Sequence, residues 1–356
     1  MDLHTTAKAN FLEALERRVL WPLELDFKVQ FTGPTGTNAV EAALKLARNV
    51  TGRTNVISFT NGFHGVSLGS VAATANSHFR KAAGVPLDNV TFLPYDGYLG
   101  EDVDTLEYFE KLLQDKSSGL DLPAAVILET VQGEGGVNVA SVEWLQRLET
   151  LCQEFEILLI VDDIQVGCGR TGTFLSFEQF GIVPDIVTLS KSLSADGLPM
   201  SLVLNKSELD QWQPGEHNGT FRGNTLAFVS ATAALDLYWK DGSFSREIRR
   251  KARIVRDRLE SIADASDDLE LLYRGRGMIQ GLACPECPQL AGMVSAEAYR
   301  QGLIIETSGT DSNVLKVLPP LTIEDDQLEK GLDIIAQAYD TVFADQIENL
   351  DLSPAK

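Results

Sequence analysis

The stretch Leu159–Gly172, LIVDDIQVGCGRTG, opens as an apolar strand, stops on two adjacent aspartates and then turns glycine-rich. Burying a carboxylate is costly unless a cation or several donors meet it. The fold therefore turns on what answers Asp162 and Asp163. Working outward, other apolar, β-branched runs recur: NVISFT (55–60), NVTFLPYD (89–96), AAVILETV (124–131), DIVTLSK (185–191) and MSLVLN (200–205). Between them lie amphipathic stretches such as NAVEAALKLARNV and SVEWLQRLETLCQEF. Strands alternating with helices predict an α/β fold, a mostly parallel sheet covered on both faces. The charged run Ser245–Ala265 predicts a long helix opening a second, smaller α+β domain. The expected division is 1–243, 244–346 and a tail at 347–356.

Ligands of such sheets sit at the carboxyl ends of the strands. Glu129, Asp162, Asp163 and Lys191 all fall at or just past predicted strand ends, so they converge on one rim. A lysine buried near the aspartates would be partly neutral and nucleophilic, and a neutral lysine adds to an aldehyde to give a Schiff base. Pyridoxal phosphate needs such a lysine and a carboxylate for its ring nitrogen, so the charge meeting Asp162 would be a pyridinium. The turn before NAVEAALK offers a helix N-terminus for a phosphate, with Gly36 and Thr37 as contacts. A capped helix needs no ligand, and that reading stays open. NGFHG (61–65) places Phe63 and His64 where an aromatic ring could stack; a core phenylalanine is the plain alternative.

Composition narrows the classes. Of 356 residues, 44% are hydrophobic and 23% charged, as in an ordinary globular chain. The net charge of −21 would repel nucleic-acid phosphates and also suits a salt-adapted surface. The N-terminus reads as no signal peptide, and no apolar run is long enough to span a bilayer, so a cytoplasmic protein without membrane partners is expected. Cys284 and Cys287 form a lone C-x-x-C without further zinc ligands in sight; no metal is expected and free thiols are the reading.

The segment Val161–Leu193 resembles the cofactor segment of class III aminotransferases, with its glycine-rich Arg-Thr-Gly run, Pro-Asp pair and following lysine. ETVQGEGG (129–136), HNGTFRGNTLA (217–227) and VLKVLPPLTI (314–323) resemble three further segments of that family, in the family's order. The resemblance implies a fold-type I pyridoxal-phosphate transferase. It makes Lys191 the Schiff-base lysine and Asp162 the partner of the ring nitrogen, and sets Gln165 near the ring's 3-hydroxyl. Phe63 then stacks on the ring with His64 beside it, and Gly36 and Thr37 hold the phosphate. Thr220 would reach the phosphate of a second subunit, which implies a homodimer with shared sites. Glu134 would gate the substrate pocket and Lys316 would hold a substrate carboxylate.

The chain departs from the family at Asp163 (usually Glu), Thr130 (usually Pro), Ser194–Asp196 (usually glycine-rich) and Lys316 (usually Arg). A lysine offers a point charge where arginine offers a fork. With GLIIETSG (302–309), these details resemble the branch that moves the amino group of glutamate to aspartate 4-semialdehyde, on the way to the osmoprotectant ectoine. Enzymes of the ornithine, acetylornithine or 4-aminobutyrate type, an aminomutase and a shortened non-catalytic homologue remain alternatives. The family carries a further stretch ahead of the part that LHTTAKANFLEALE resembles, and the expectation is that some active-site groups lie there.

Overall fold

The structure, a computed structural model, describes residues 4–351 apart from Glu101, Asp196, Asp267 and Asp268. Asp196 and the last five residues of the expected tail thus lie outside the described residues. The chain divides into two compact units. The first comprises Met1–Thr130, Ala140–Gly169 and Thr173–Ser245; the second comprises Val131–Val139, Arg170–Gly172 and Arg246–Lys356.

In chain order the strands are β1 (Phe27–Phe31), β2 (Val56–Phe59), β3 (Val90–Leu93), β4 (Ala125–Leu128), the short pair β5 (Val131–Gln132) and β6 (Asn138–Val139), β7 (Leu158–Asp162), β8 (Ile186–Leu189) and β9 (Leu202–Lys206). The first unit holds a seven-stranded sheet in the order β1-β9-β8-β7-β4-β2-β3. β3, β2, β4, β7 and β8 run parallel, and β9 pairs antiparallel with both β8 and the edge strand β1. Alternate residues bury on opposite faces. Leu159 and Val161 join one core cluster with Phe59, Leu128 and Trp144, whereas Ile160 joins another with Ile127 and Ile186. A strand buried on both faces needs an unbroken apolar run, and the sequence of β7 supplies one.

The helix Gly36–Thr51 covers the second cluster with Ala39, Val40, Ala43, Leu44 and Leu46, all buried. Its start is fixed by Asn38, whose side-chain oxygen accepts from the Thr35 N–H at 3.2 Å. Gly52, with φ of 67°, ends it in the left-handed conformation that glycine adopts without strain. On the other face the helix Val142–Glu154 buries Trp144, Leu145, Leu148 and Leu151.

The second unit is built on the antiparallel sheet β10-β11-β13-β12, with β10 (Leu272–Arg276), β11 (Ile279–Ala283), β12 (Glu306–Ser308) and β13 (Val314–Val317). The helices Ser243–Asp264, Leu290–Arg300 and Asp325–Asp351 accompany it. Lys251 reaches from the first of these to the Ile323 carbonyl at 2.5 Å, and Arg250 pairs with Asp325. The β10–β11 turn passes so close to the backbone of Arg170 and Thr171 that a Cβ on Gly277 would overlap it. Arg170 is itself buried and donates to the carbonyls of Met278 at 3.0 Å and Pro319 at 2.6 Å. Burial pushes its guanidinium down to about 10. Among the described residues, no helix is long and apolar enough to cross a membrane. The four cysteines, Cys152, Cys168, Cys284 and Cys287, are buried.

Candidate active site

The carboxyl ends of β2, β4, β7 and β8 are neighbours in the sheet, and each delivers polar residues to the same rim. β2 leads into Asn61–Gly65, β4 into Glu129, β7 ends on Asp162, and Lys191 follows β8. The register sets Asp162 opposite Thr188, and Lys191 follows three residues farther along the chain, just past the end of β8.

Asp162 is 3% exposed and answered from three sides. One oxygen lies 2.8 Å from His64 Nδ1. The other accepts from Thr188 Oγ1 at 3.0 Å and from the Ile164 N–H at 3.2 Å. Burial alone would lower the His64 pKa. The hydrogen bond to Asp162, its charge, and the charge of Glu129 outweigh that and hold the imidazole above its ordinary value. A carboxylate forces the proton onto Nδ1 in either charge state. The group seen against Asp162 is thus the His64 imidazole, a contact the sequence did not point to. A carboxylate has about four acceptor positions; three are taken, so one remains for a ring N–H, and the residues present fit that group.

Asp163 differs. It is 1% exposed, and one oxygen accepts from the Ser176 N–H at 2.8 Å. The other has no hydrogen-bond partner among the described residues. Burial pushes its pKa up to about 7, against the hydrogen bonds from Ser176 and with a further push from Asp162 and Glu178.

Lys191 corrects one expectation: it is exposed, not buried. Its φ of 46° lies in the left-handed region, unusual for a non-glycine residue and frequent at functional sites. Phe63 is half-buried, packs edge-on against Phe79 at 5.3 Å and donates its N–H to Glu129 Oε2 at 2.9 Å. Gln165 lies three residues beyond Asp162, half-buried.

Gly36 and Thr37 open the Gly36–Thr51 helix, where first-turn N–H groups face outward unpaired by the helix itself. The Thr37 hydroxyl is committed to Ser67 Oγ at 2.6 Å, and Ser67 donates onward to Glu41 at 2.6 Å. An anion there would meet backbone donors rather than the Thr37 side chain. Thr220 is exposed on the loop before the helix Thr225–Tyr238, next to Phe221, which is 88% exposed.

The two predicted substrate residues meet within the second unit. Lys316 is fully buried, so it is not a solvent-facing strand lysine, and its Nζ lies 2.9 Å from Glu134 and 3.2 Å from Glu306. Its strand borders a cavity of about 330 Å³ walled mainly by Leu303, Pro319, Leu332 and Ile335. Sequence reading missed Glu306, Thr188 and the His64–Asp162 contact. Glu306 had one signal: it stands within GLIIETSG, directly after an apolar run. Thr188 had none beyond its strand position.

A family model for class-III aminotransferases matches residues 7–339. A protein of Bordetella parapertussis named diaminobutyrate–2-oxoglutarate transaminase is 62% identical over 335 residues, 94% of this chain and 77% of that protein. One of the same name from Halomonas elongata is 56% identical, over 97% of this chain and 82% of its own length. The crystal structure of an S-selective transaminase from Bacillus megaterium superposes with a TM-score of 0.85 at 21% identity, covering 96% of this chain and 82% of that one, which shows the shared fold.

Proposed function

Since the chain belongs to the class-III aminotransferases, we propose that it moves the amino group of L-glutamate to L-aspartate 4-semialdehyde, giving L-2,4-diaminobutyrate and 2-oxoglutarate, with pyridoxal 5'-phosphate as cofactor. The observation that carries this reading is the row of His64, Glu129, Asp162 and Lys191 at neighbouring strand ends, in a chain 62% identical to a protein named for diaminobutyrate and 2-oxoglutarate. When bound, the cofactor supplies a sink for the electron pair left as the substrate Cα–H bond breaks.

The protein's own groups do the rest. Asp162 would accept the ring N–H, and His64 and Thr188 hold its two oxygens in place for that contact. Lys191 Nζ would hold the cofactor and carry the proton to and from the substrate Cα. Its side chain lies on the exposed rim of the sheet. Gly36 and Thr37 would give backbone N–H groups to the phosphate, with Phe63 and Gln165 as the further residues that would hold the cofactor. In the second unit Lys316 holds a substrate carboxylate, and Glu134 occupies Lys316 until that carboxylate arrives.

The reading includes a homodimer, with Thr220 reaching the second copy's phosphate. It is supported by large apolar side chains left in solvent beside that loop: Phe221 at 88%, Leu226 at 67% and Val229 at 56% exposed. The test is to convert the holoenzyme with glutamate, remove excess donor, and add aspartate 4-semialdehyde. Diaminobutyrate by mass spectrometry is expected. Turnover of ornithine, acetylornithine or 4-aminobutyrate with none of the semialdehyde overturns the substrate assignment.

A further inference from the structure

Lys316 is met by two carboxylates of unlike character. Glu134 comes from the β5–β6 turn and is 38% exposed at its side chain; Glu306 comes from the edge strand β12 and is 69% exposed. Gly309 N–H donates to the Glu134 carbonyl at 3.0 Å, which seats the Glu134 turn on the end of β12. In the sheet register Glu306 lies directly opposite Lys316, and Ser308 opposite Val314. Opposed residues share a face, so Lys316, Glu306 and Ser308 stand on one face. Ser308 is 4% exposed, and its hydroxyl has no hydrogen-bond partner among the described residues. That face therefore offers a buried cation and a spare donor, the two groups a carboxylate seeks, and also one fixed anion.

We propose that Glu306 sets the specificity of this site: it stays on Lys316 when Glu134 is displaced, and its charge holds down the affinity for dicarboxylates in a salt-dependent way. The proposal rests on the reading that Lys316 binds a substrate carboxylate.

The physical steps are these. An ammonium has three N–H donors. Glu134 takes one, while Glu306 is held as an ion pair at 3.2 Å, so an incoming carboxylate takes the place of Glu134. Displacing Glu134 exchanges one carboxylate for another at the ammonium, but Glu134 stays tethered to its turn and the dicarboxylate brings a second charge, so the negative charge around Glu306 rises. Glu306 does not leave, because the edge strand fixes its backbone opposite Lys316. It then faces the new carboxylate across one ammonium, and like charges a few ångströms apart repel. Since Glu306 reaches into solvent, that repulsion is the screened kind and fades with added salt. The attraction from Lys316 fades less, because the lysine is buried. Rising salt therefore tightens dicarboxylate binding. Glutamine at 306 keeps an oxygen for Lys316 and removes the charge.

The test uses glutarate, a dicarboxylate that cannot be aminated, titrated calorimetrically into the holoenzyme. In low salt Glu306→Gln is expected to bind glutarate about five-fold tighter than the wild type. The gap should close at about 1 M salt, where the screening length falls to about 3 Å. The substitution lies on an exposed edge and leaves the core untouched. An unchanged or weaker affinity in Glu306→Gln overturns the proposal, and so does a gain that persists undiminished at high salt. Lys316→Met, run in parallel, is expected to lose glutarate binding at every salt concentration. If it binds glutarate as the wild type does, the failure belongs to the assignment of Lys316 and not to Glu306.

Discussion

Two buried charges, one in each unit, are answered in opposite ways. Asp162 is held by His64, Thr188 and the Ile164 N–H, three groups on or beside neighbouring strands with almost no exposure. Lys316 is equally buried, but its counterions are Glu134 and Glu306, long side chains that are partly in water. A short, enclosed set of partners fixes a charge. A set of exposed carboxylates can be exchanged for another anion at little cost. The first arrangement suits a group that polarises the same atom in every turnover, and the second suits a site that must admit and release carboxylates.

The comparison can be attacked where the largest effect is expected. Lys191 belongs to the fixed rim by position but is exposed, so it should matter for chemistry and little for folding. Lys191→Ala is expected to lower transamination by roughly 10⁴-fold with an unchanged melting temperature. Retention of more than about a hundredth of the activity sinks its assignment.

Asp162→Asn tests the enclosed charge. It removes the hydrogen-bond partner of His64 and, on the proposed reading, the acceptor for the ring nitrogen, a charge-assisted bond worth about 3 kcal/mol, or roughly 100-fold in rate. The His64 pKa should fall in parallel, which NMR of the ring protons can follow. Near-normal turnover would move the role away from Asp162.

Lys316→Met tests the exchangeable charge. The Michaelis constants for glutamate and 2-oxoglutarate should rise about ten-fold, while cofactor affinity and stability change by less than about 1 kcal/mol. The released glutamates are partly hydrated already, and replacing a buried ion by an apolar side chain of similar size is often neutral. A large loss of stability would show that Lys316 is a fixed element after all.

Asp163 sharpens the contrast from within the first unit, with the smallest effect. Its folded pKa of about 7 lies above the ordinary 3.8. The folded state therefore binds the proton more tightly than the unfolded chain. The stability this contributes is full below about pH 4 and is lost as pH rises through 7. Asp163→Asn should flatten the fall of melting temperature between about pH 4 and 7. An unaltered slope would show that the carboxyl is ionised throughout.

Much of the large sheet was legible because strands buried on both faces leave an unbroken apolar signature, as in ILLIVDD and AAVILETV. The edge strand FKVQF carries no such signature: only Phe27 is fully buried there, and its place follows from pairing with β9. The rim residues were legible as polar groups at strand ends. Which of them touch was not, because the His64–Asp162 contact joins positions 98 residues apart. Lys191 was placed in the right row but with the wrong exposure, since strand position says nothing about how a side chain leaves the rim. Glu306 stayed hidden because an acidic residue on a short strand ordinarily faces solvent, and only the register shows it opposite a buried lysine.

The reach of Arg170 bears on how the molecule can be taken apart. The second unit is assembled from three separated stretches, and Arg170 holds the carbonyls of Met278 and Pro319 from one of the two short ones. Glu134 comes from the other. A gene fragment cut near residue 246 would encode the sheet with Lys316 but lack both the clasp on those carbonyls and one of the lysine's two counterions. The small unit is thus not a transferable module: a chimaera that exchanges it between relatives has to carry residues 131–139 and 170–172 along with the C-terminal third, or it inherits a binding face that belongs half to each parent.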